Sequence, residues 1–366
     1  MKIKELIAFL ESTAPIQLQE SYDNCGLLCG DSEQTVSNVL VSLDCTEAVI
    51  AEAVAKKCEI VVCHHPVIFK GLKKLTGSNY VERTMIAAIK NGVAIYAIHT
   101  NLDNVSHGVN AIFAEKLGLR NTRILAPKSS ELKKLGVYVP SDNREQLLDA
   151  LFSAGAGEIG NYAECSFSIE GTGSFMAMDN SNPYVGEKGI RHHEKETRIE
   201  VVFPRWKERE ILSAMRSNHP YEEIAFDVVS LDNTFQSVGA GLIGELPEEM
   251  STSDFIAMVK SKMKAGVVRY TTLNDPQQKI KKVALCGGSG SFLLSQAKSA
   301  GAQAFVTGDF KYHEFFDAEG KIVIADIGHF ESEQFTIDLL VAWIRKKFPT
   351  FAVHFTDTNT NPINYL

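Results

Sequence analysis

The sequence predicts an α/β fold: duplicated α/β lobes forming one split domain, with a ferredoxin-like α+β domain inserted between them. Three observations carry this. Residues 1–126 alternate short β-branched apolar runs with helical patterns, residues 235–366 repeat that alternation, and residues 127–234 change to the order β-α-β-β-α-β. At 366 residues the chain also exceeds the usual size of a single hydrophobic core.

In the first lobe, MKIKELIAFLEST is a short amphipathic helix broken by Ala14-Pro15. SNVLVSLD reads as a buried strand. Thr46 then caps a helix through TEAVIAEAVAKK, where Ile50, Ala53 and Val54 recur at helical spacing. EIVVC is the next strand and ends at His64-His65-Pro66. A helix over YVERTMIAAIKNG stops at Gly92. The strand VAIYAIHT, the loop NLDNVSHG and a helix through VNAIFAEKLGL complete the lobe.

The last lobe follows the same logic. KKVALCGG is a strand, Ser291 caps a helix through SFLLSQAKSAG closed by Gly301, and AQAFVTGD is a strand. KIVIADIGHFESE is a strand entering a polar turn. The amphipathic helix EQFTIDLLVAWIRKKF and the strand FAVHFTD close the chain. VLVSLD matches VALCGG, EIVVCHH matches AFVTGDF, and AIYAIHTNLD matches VIADIGHFESE. This points to internal duplication, with convergent α/β patterning as the other account.

In the middle, LKKLGVYVP, AECSFSIEGTGSF, KETRIEVVFP and EEIAFDVVSL are strands, and NREQLLDALFSAGAG and KEREILSAMRSNHP are helices. That order is ferredoxin-like. DNSNPYVGEKGIRHHEK is polar and Gly/Pro-punctuated, and is expected to be a mobile loop.

Composition excludes several classes. A formal charge of −8 argues against a broad nucleic-acid footprint. No apolar run approaches bilayer-spanning length and the N-terminus lacks a signal-peptide core, so a cytoplasmic protein without membrane contact is expected. Seven scattered cysteines do not form a secreted disulfide framework and read as small thiols in or beside apolar runs.

The chemistry concentrates at strand ends. In open α/β sheets ligands bind outside the strand carboxyl ends. Adjacent histidines leaving a strand diverge, so His64 and His65 suit two metals about 3.5–4 Å apart better than one. VAIYAIHT ends in the same crevice and brings His99 and Asp103 near. His329 and Glu333, at i and i+4 in the first turn of a helix, face one side and can share a metal. His64, His65, Asp103, His329 and Glu333 therefore read as ligands of two divalent ions. The carboxylates offset repulsion between the cations. Three imidazoles and two carboxylates suit zinc first, with manganese or iron also open. Five ligands leave positions for water, which marks a catalytic site. His99, beside them, is a candidate proton shuttle near pH 7.

Other features are weaker. His192-His193 has no apolar strand behind it and reads as a solvated loop. His107 and His354 have no partner visible in sequence. His219 is expected to end a helix as a protonated imidazole. GGSGS (residues 287–291) could hold a phosphate through backbone N–H groups, but Leu293 stands where the dinucleotide fingerprint needs its third glycine. In TGDFKYHE, Asp309, Lys311, His313 and Glu314 occupy the repeat position of the histidine pair; they line the same cavity or serve a tight surface turn. SYDNCGLLCG is a polar turn of open role.

YDNCGLLCG, VVCHHPVIF, AIHTNLD, TGDFKYHE and GHFESE, in this order, resemble the Ngg-interacting-factor-three-like family, also known as GTP cyclohydrolase I type 2 homologues. The resemblance implies a duplicated α/β fold, a di-metal centre, and a homohexameric toroid, a trimer of dimers, with sites facing an internal cavity. His64, His65, Asp103, His329 and Glu333 fall on the family's metal positions. The middle segment, through HPYEEIAFDV, is similar to the PII/CutA-like domain inserted in long bacterial members.

Two functions follow as expectations. The first is a di-metal-dependent hydrolase, possibly GTP cyclohydrolase-like, opening a purine ring; a phosphoester or cyclic amide fits the residues equally. Lys311 and the Gly-rich turn favour a small anionic substrate. The alternative is a non-catalytic metal-handling or regulatory toroid whose PII-like insert senses a ligand. A nucleic-acid partner is not expected.

Overall fold

The computed structural model describes residues 1–366. The chain divides into two compact units: residues 1–127 with 237–366, and residues 128–236. The first is built on two sheets. One carries strands in the order Gly26–Cys29, Ala94–Ala97, Ile60–Cys63, Asn38–Ser42, Ala352–Phe355. The other runs Arg269–Tyr270, Val323–Asp326, Ala304–Gly308, Ile280–Ser289, Thr234–Met250, Arg120–Ser129. Each has three consecutive parallel strands at its centre, with an antiparallel edge strand beside the last of them. Strands Ile60–Cys63, Ala94–Ala97 and Val323–Asp326 are buried at every position, as parallel strands covered on both faces must be.

Local chemistry sets the boundaries. The Thr46 side chain accepts a hydrogen bond from Val49 N at 3.4 Å and starts helix Glu47–Ala55. Helix Tyr80–Asn91 ends at Gly92 in the left-handed region, φ 64°. These helices bury Val49, Ile50, Ala53, Met85 and Ala88 against Leu40, Val61, Ile95 and Ala97 of the first sheet. A second core joins Phe113, Leu117, Phe255 and Val259 to Leu285, Val306 and Ala325 of the other.

Several local expectations change. The closing strand Ala352–Phe355 pairs in parallel with Asn38–Ser42, so it completes the sheet of the first lobe. Strand Arg120–Ser129 lies at the edge of the other lobe's sheet. Ser291 makes no side-chain cap; it opens a 3-10 turn, Ser291–Leu293, that leads into helix Leu294–Ser299. All seven cysteines are free, and Cys25, Cys45, Cys58, Cys63 and Cys286 are buried. No helix is long and apolar enough to cross a membrane.

In residues 128–236, strands Leu132–Pro140, Ser166–Met176, Arg191–Pro204 and Phe226–Leu231 alternate with helices Arg144–Ser153 and Glu208–Asn218 in the order β-α-β-β-α-β. The antiparallel sheet runs Ser166–Met176, Arg191–Pro204, Leu132–Pro140, Phe226–Leu231. Both helices cover one face, where Leu147, Leu151, Ile211 and Met215 meet Leu135, Val137, Ile199 and Val201. His192 and His193 belong to strand Arg191–Pro204, opposite Phe175 and Ser174, and not to a loop. Charges on both faces of that strand hid its period of two. His219 does follow helix Glu208–Asn218, but as a neutral ring. Burial lowers its pKa, Nε2 donates to Tyr138 O at 2.8 Å, and Nδ1 accepts from Tyr221 N at 3.1 Å.

Candidate metal centre

The site forms where strand ends of both sheets meet. His64 and His65 leave strand Ile60–Cys63 with their backbone amides held by Leu43 O at 3.1 and 2.9 Å. Asp103 ends the one-turn helix Thr100–Asp103, and His329 and Glu333 open and close helix His329–Glu333. Asn110 ties the halves together. Its Nδ2 donates to Asp103 O at 3.1 Å, and its Oδ1 accepts from Gly287 N at 2.9 Å.

His64, His65, Asp103, His329, Glu333 and His99 all converge. Their donor atoms make three overlapping groups, each within 4.8 Å: His65, His329 and Glu333; His64, Asp103 and Glu333; His64, His65 and His99. Glu333 reaches His65 Nε2 at 3.0 Å and His329 Nε2 at 3.2 Å through Oε2, while its Oε1 lies 3.8 Å from His64 Nε2. His64 donates Nδ1–H to Ile98 O at 2.8 Å, which leaves the Nε2 lone pair directed away from that bond. That Nε2 is buried with no hydrogen-bond partner, and so is Asp103 Oδ1, 3.6 Å away. Two orphaned acceptors facing one another are costly unless a cation sits between them. Donors about 2.1 Å from a tetrahedral ion stand about 3.4 Å apart, close to the spacings seen here.

The electrostatics agree. Burial and then repulsion from Glu333 push Asp103 up to about 7. Burial also acts to raise Glu333, but hydrogen bonds with His329 and His65, with the His64 ring close by, hold it well below the carboxylate range. For His65, Asp44 and Glu333 override burial and push the imidazole up to about 9; for His329, Asp309 and Glu333 push it up to about 11. A buried acidic pocket that attracts positive charge this strongly is suited to a cation.

Three partners escaped the sequence reading in whole or part. Asp44 Oδ1 bonds His65 Nδ1 at 2.8 Å, Asp309 Oδ2 bonds His329 Nδ1 at 2.6 Å, and Asp23 Oδ1 bonds His99 Nδ1 at 2.8 Å. Each carboxylate fixes the tautomer that presents Nε2 to the centre. Asp23 also accepts from Thr100; these bonds override burial and hold its carboxyl well below the usual range. Of the three, only Asp309 stands out in the sequence, within TGDFKYHE. Its companions serve a surface turn: Lys311 and His313 are exposed, and Glu314 Oε2 caps Lys311 N at 2.8 Å. Asp44 had a readable signal, an acid at the carboxyl end of VLVSLD.

Two amides of the Gly-rich turn are already engaged within the protein. Gly287 N is used by Asn110, and Gly288 N by Ser332 Oγ at 2.9 Å. Its role is clearance. A Cβ on Gly288, φ 65°, would stand 2.5 Å from Glu333 Oε1 and 3.3 Å from His329 Cε1. Beside the centre opens a cavity of about 930 Å³, lined by His65, His99, His329, Phe69, Tyr80 and Phe330 among others.

A family model described as Duf34/NIF3 (NGG1p interacting factor 3) matches residues 1–362. A Bacillus subtilis (strain 168) protein named GTP cyclohydrolase 1 type 2 homolog is 38% identical over 369 residues, covering 99% of this chain and 98% of its own. The solved structure of a Bacillus cereus protein related to NIF3 superposes with a TM-score of 0.87 at 37% identity, over 100% of this chain and 99% of that one. Staphylococcus aureus protein SA1388 gives a TM-score of 0.78 at 32% identity, with the same coverage. With a match running almost end to end, the chain belongs to the Duf34/NIF3 family.

Proposed function

We propose that the protein is a di-metal-dependent hydrolase whose ligands are His64, His65, Asp103, His329 and Glu333. The observation that carries this reading is the pair of donor groups sharing Glu333, with His64 Nε2 and Asp103 Oδ1 buried and unpartnered between them. One oxygen of Glu333 serves each group, as a bridging carboxylate would. Three imidazoles with two carboxylates favour zinc, then manganese or iron. Two such ions would supply a water nucleophile at neutral pH and polarise the bond under attack.

The chain's own residues do the rest. Asp44 and Asp309 hold His65 and His329 in the ligating tautomer. Asp23 orients His99 so that its Nε2 faces the histidine pair, where it can carry a proton to or from substrate. Phe69, Tyr80 and Phe330 offer apolar faces to a planar substrate body in the adjoining cavity. The relatives' name, GTP cyclohydrolase 1 type 2 homolog, directs the first substrate trial to GTP. We further infer that residues 128–236 form a ferredoxin-like insert, which the strand order supports, that the two outer lobes arose by duplication, and that the chain assembles as a homohexamer.

The test is a turnover screen of metal-reconstituted protein against GTP and assorted phosphoesters, with metal content and assembly measured in parallel. Turnover that falls by orders of magnitude in Glu333→Ala and His65→Ala, with assembly intact, supports the proposal. Metal that binds and exchanges without turnover on any substrate refutes the hydrolase. Turnover indifferent to both substitutions refutes the site.

A further inference from the structure

Residues 128–236 contain a second cavity, of about 340 Å³, that the metal chemistry does not use. Its walls come from the far end of strand Ser166–Met176, the segment after it, and the segment after helix Glu208–Asn218. Three aromatic rings meet there. Tyr221 stands 6.0 Å from Phe175 and 6.2 Å from Tyr184, centroid to centroid, at interplanar angles of 63° and 53°. His219 packs on the other ring contact of Tyr221, at 5.3 Å. The rings are inclined to one another, so their faces as well as their edges border the cavity.

The charge lining this cavity has one sign. Glu196, Glu222 and Glu223 line it, and no lysine or arginine does. Arg198 lines an adjoining cavity with Glu196 and Tyr138 and is bonded to Tyr138 Oη at 2.6 Å and to Glu200, and Lys188 Nζ donates to Asp179 O at 2.8 Å. Glu222 accepts from Asn182 N, and His219 is neutral with both ring nitrogens bonded, so the imidazole adds no positive charge. The Tyr221 hydroxyl is buried without a well-formed hydrogen bond. Burial first, then the Glu196 charge, make it hold its proton more tightly than a free phenol. Apolar walls, tilted π-faces and a lining that holds carboxylates without lysine or arginine attract an organic cation and repel an anion.

We propose that this cavity binds a small organic cation, a primary or quaternary ammonium with an apolar body, seated against the Tyr221 ring and the Glu196 carboxylate. The site is independent of the metal centre, and its test reads binding and not turnover.

The full-length protein is titrated by calorimetry and ligand-observed NMR with two matched pairs: choline against 3,3-dimethylbutan-1-ol, and benzylamine against benzyl alcohol. At least one ammonium should bind about tenfold tighter than its neutral counterpart, the ratio a desolvated cation–π contact supports. Glu196→Gln and Tyr221→Leu should each weaken that ammonium about tenfold, while Tyr221→Phe, which keeps the ring, retains it. Failure of both ammonium ions to bind, equal binding of the neutral counterparts, or binding indifferent to Glu196→Gln overturns the proposal. The matched pairs decide on the wild-type protein even if Tyr221→Leu does not fold.

Discussion

Gly288→Ala isolates the link between the Gly-rich turn and the metal centre. The added Cβ would lie 2.5 Å from Glu333 Oε1, against an ordinary contact of 3.4 Å, so the carboxylate must retreat by the difference, about 0.9 Å. A retreat of the whole group would draw Oε2 away from His65, now at 3.0 Å, and His329, at 3.2 Å, and a rotation would reorient Oε1 with respect to His64. Displacing or reorienting a ligand on this scale lowers metal affinity by about 10–100-fold, or about 1.4–2.7 kcal/mol. A separate cost comes from the backbone. At φ 65° a side chain adds about 1 kcal/mol of left-handed strain, worth a few degrees of Tm.

Gly92→Ala separates the two effects. Gly92 has φ 64° and nothing within 4 Å of an added Cβ, so its substitution carries the strain alone. Gly92→Ala should lose only the strain and Gly288→Ala at least as much, measured by thermal unfolding of apo protein. Only Gly288→Ala should lose metal, measured by competition with a chromophoric chelator at fixed pH. If Gly288→Ala holds metal as tightly as Gly92→Ala, the crowding of Glu333 does not matter and the clearance argument fails.

Asp309→Asn should lower the imidazole pKa of His329 from about 11, because the charge at Nδ1 is removed, and weaken metal binding about 10–100-fold; NMR titration of the ring and chelator competition check it, and wild-type values in both would exclude an orienting role. A second prediction concerns the C-terminal segment, which Glu52 anchors through Thr356 Oγ1, Thr358 Oγ1 and the amides of Asp357 and Thr358. Burial opposes the Glu52 charge, but bonds from Lys56, Thr356 and Thr358 hold its pKa at about 2, below the ordinary 4.5. The anchoring is thus complete above about 4.5 and is lost as pH falls towards 2. Hydrogen-exchange protection at Asp357 and Thr358 should drop about tenfold in Glu52→Gln and fall with acid in the wild type, on the scale of a charge-assisted bond. Protection unchanged by both would refute the anchor.

What the sequence reveals about the site divides along a physical line. The proposed ligand positions are readable because each follows a local pattern: an apolar run reports a buried strand, and His64-His65 or Asp103 appears where that run ends. The helical spacing of His329 and Glu333 is likewise local. Periodicity reports burial, and burial fixes where a strand stops, but it says nothing of which strand lies alongside. Hence Ala352–Phe355 could be recognised as a strand while its sheet could not, and Arg120–Ser129 was missed even as a strand.

The orienting carboxylates fall on the far side of the same line. Asp23 and His99 are separated by 76 residues, Asp44 and His65 by 21, and Asp309 and His329 by 20. No helical or strand period spans such distances, and an aspartate in a polar turn has many ordinary reasons to be there. Even so, all three precede their histidines and lie in turns that bring one strand end beside the next. The proposed duplication adds a usable constraint: Asp309 stands in the repeat position of the histidine pair, and it reaches a histidine of the following strand end. A search for paired centres in similar α/β repeats should therefore look for an acid at one strand end and an imidazole at its neighbour. In this fold, adjacency of strand ends joins the two, where sequence distance does not.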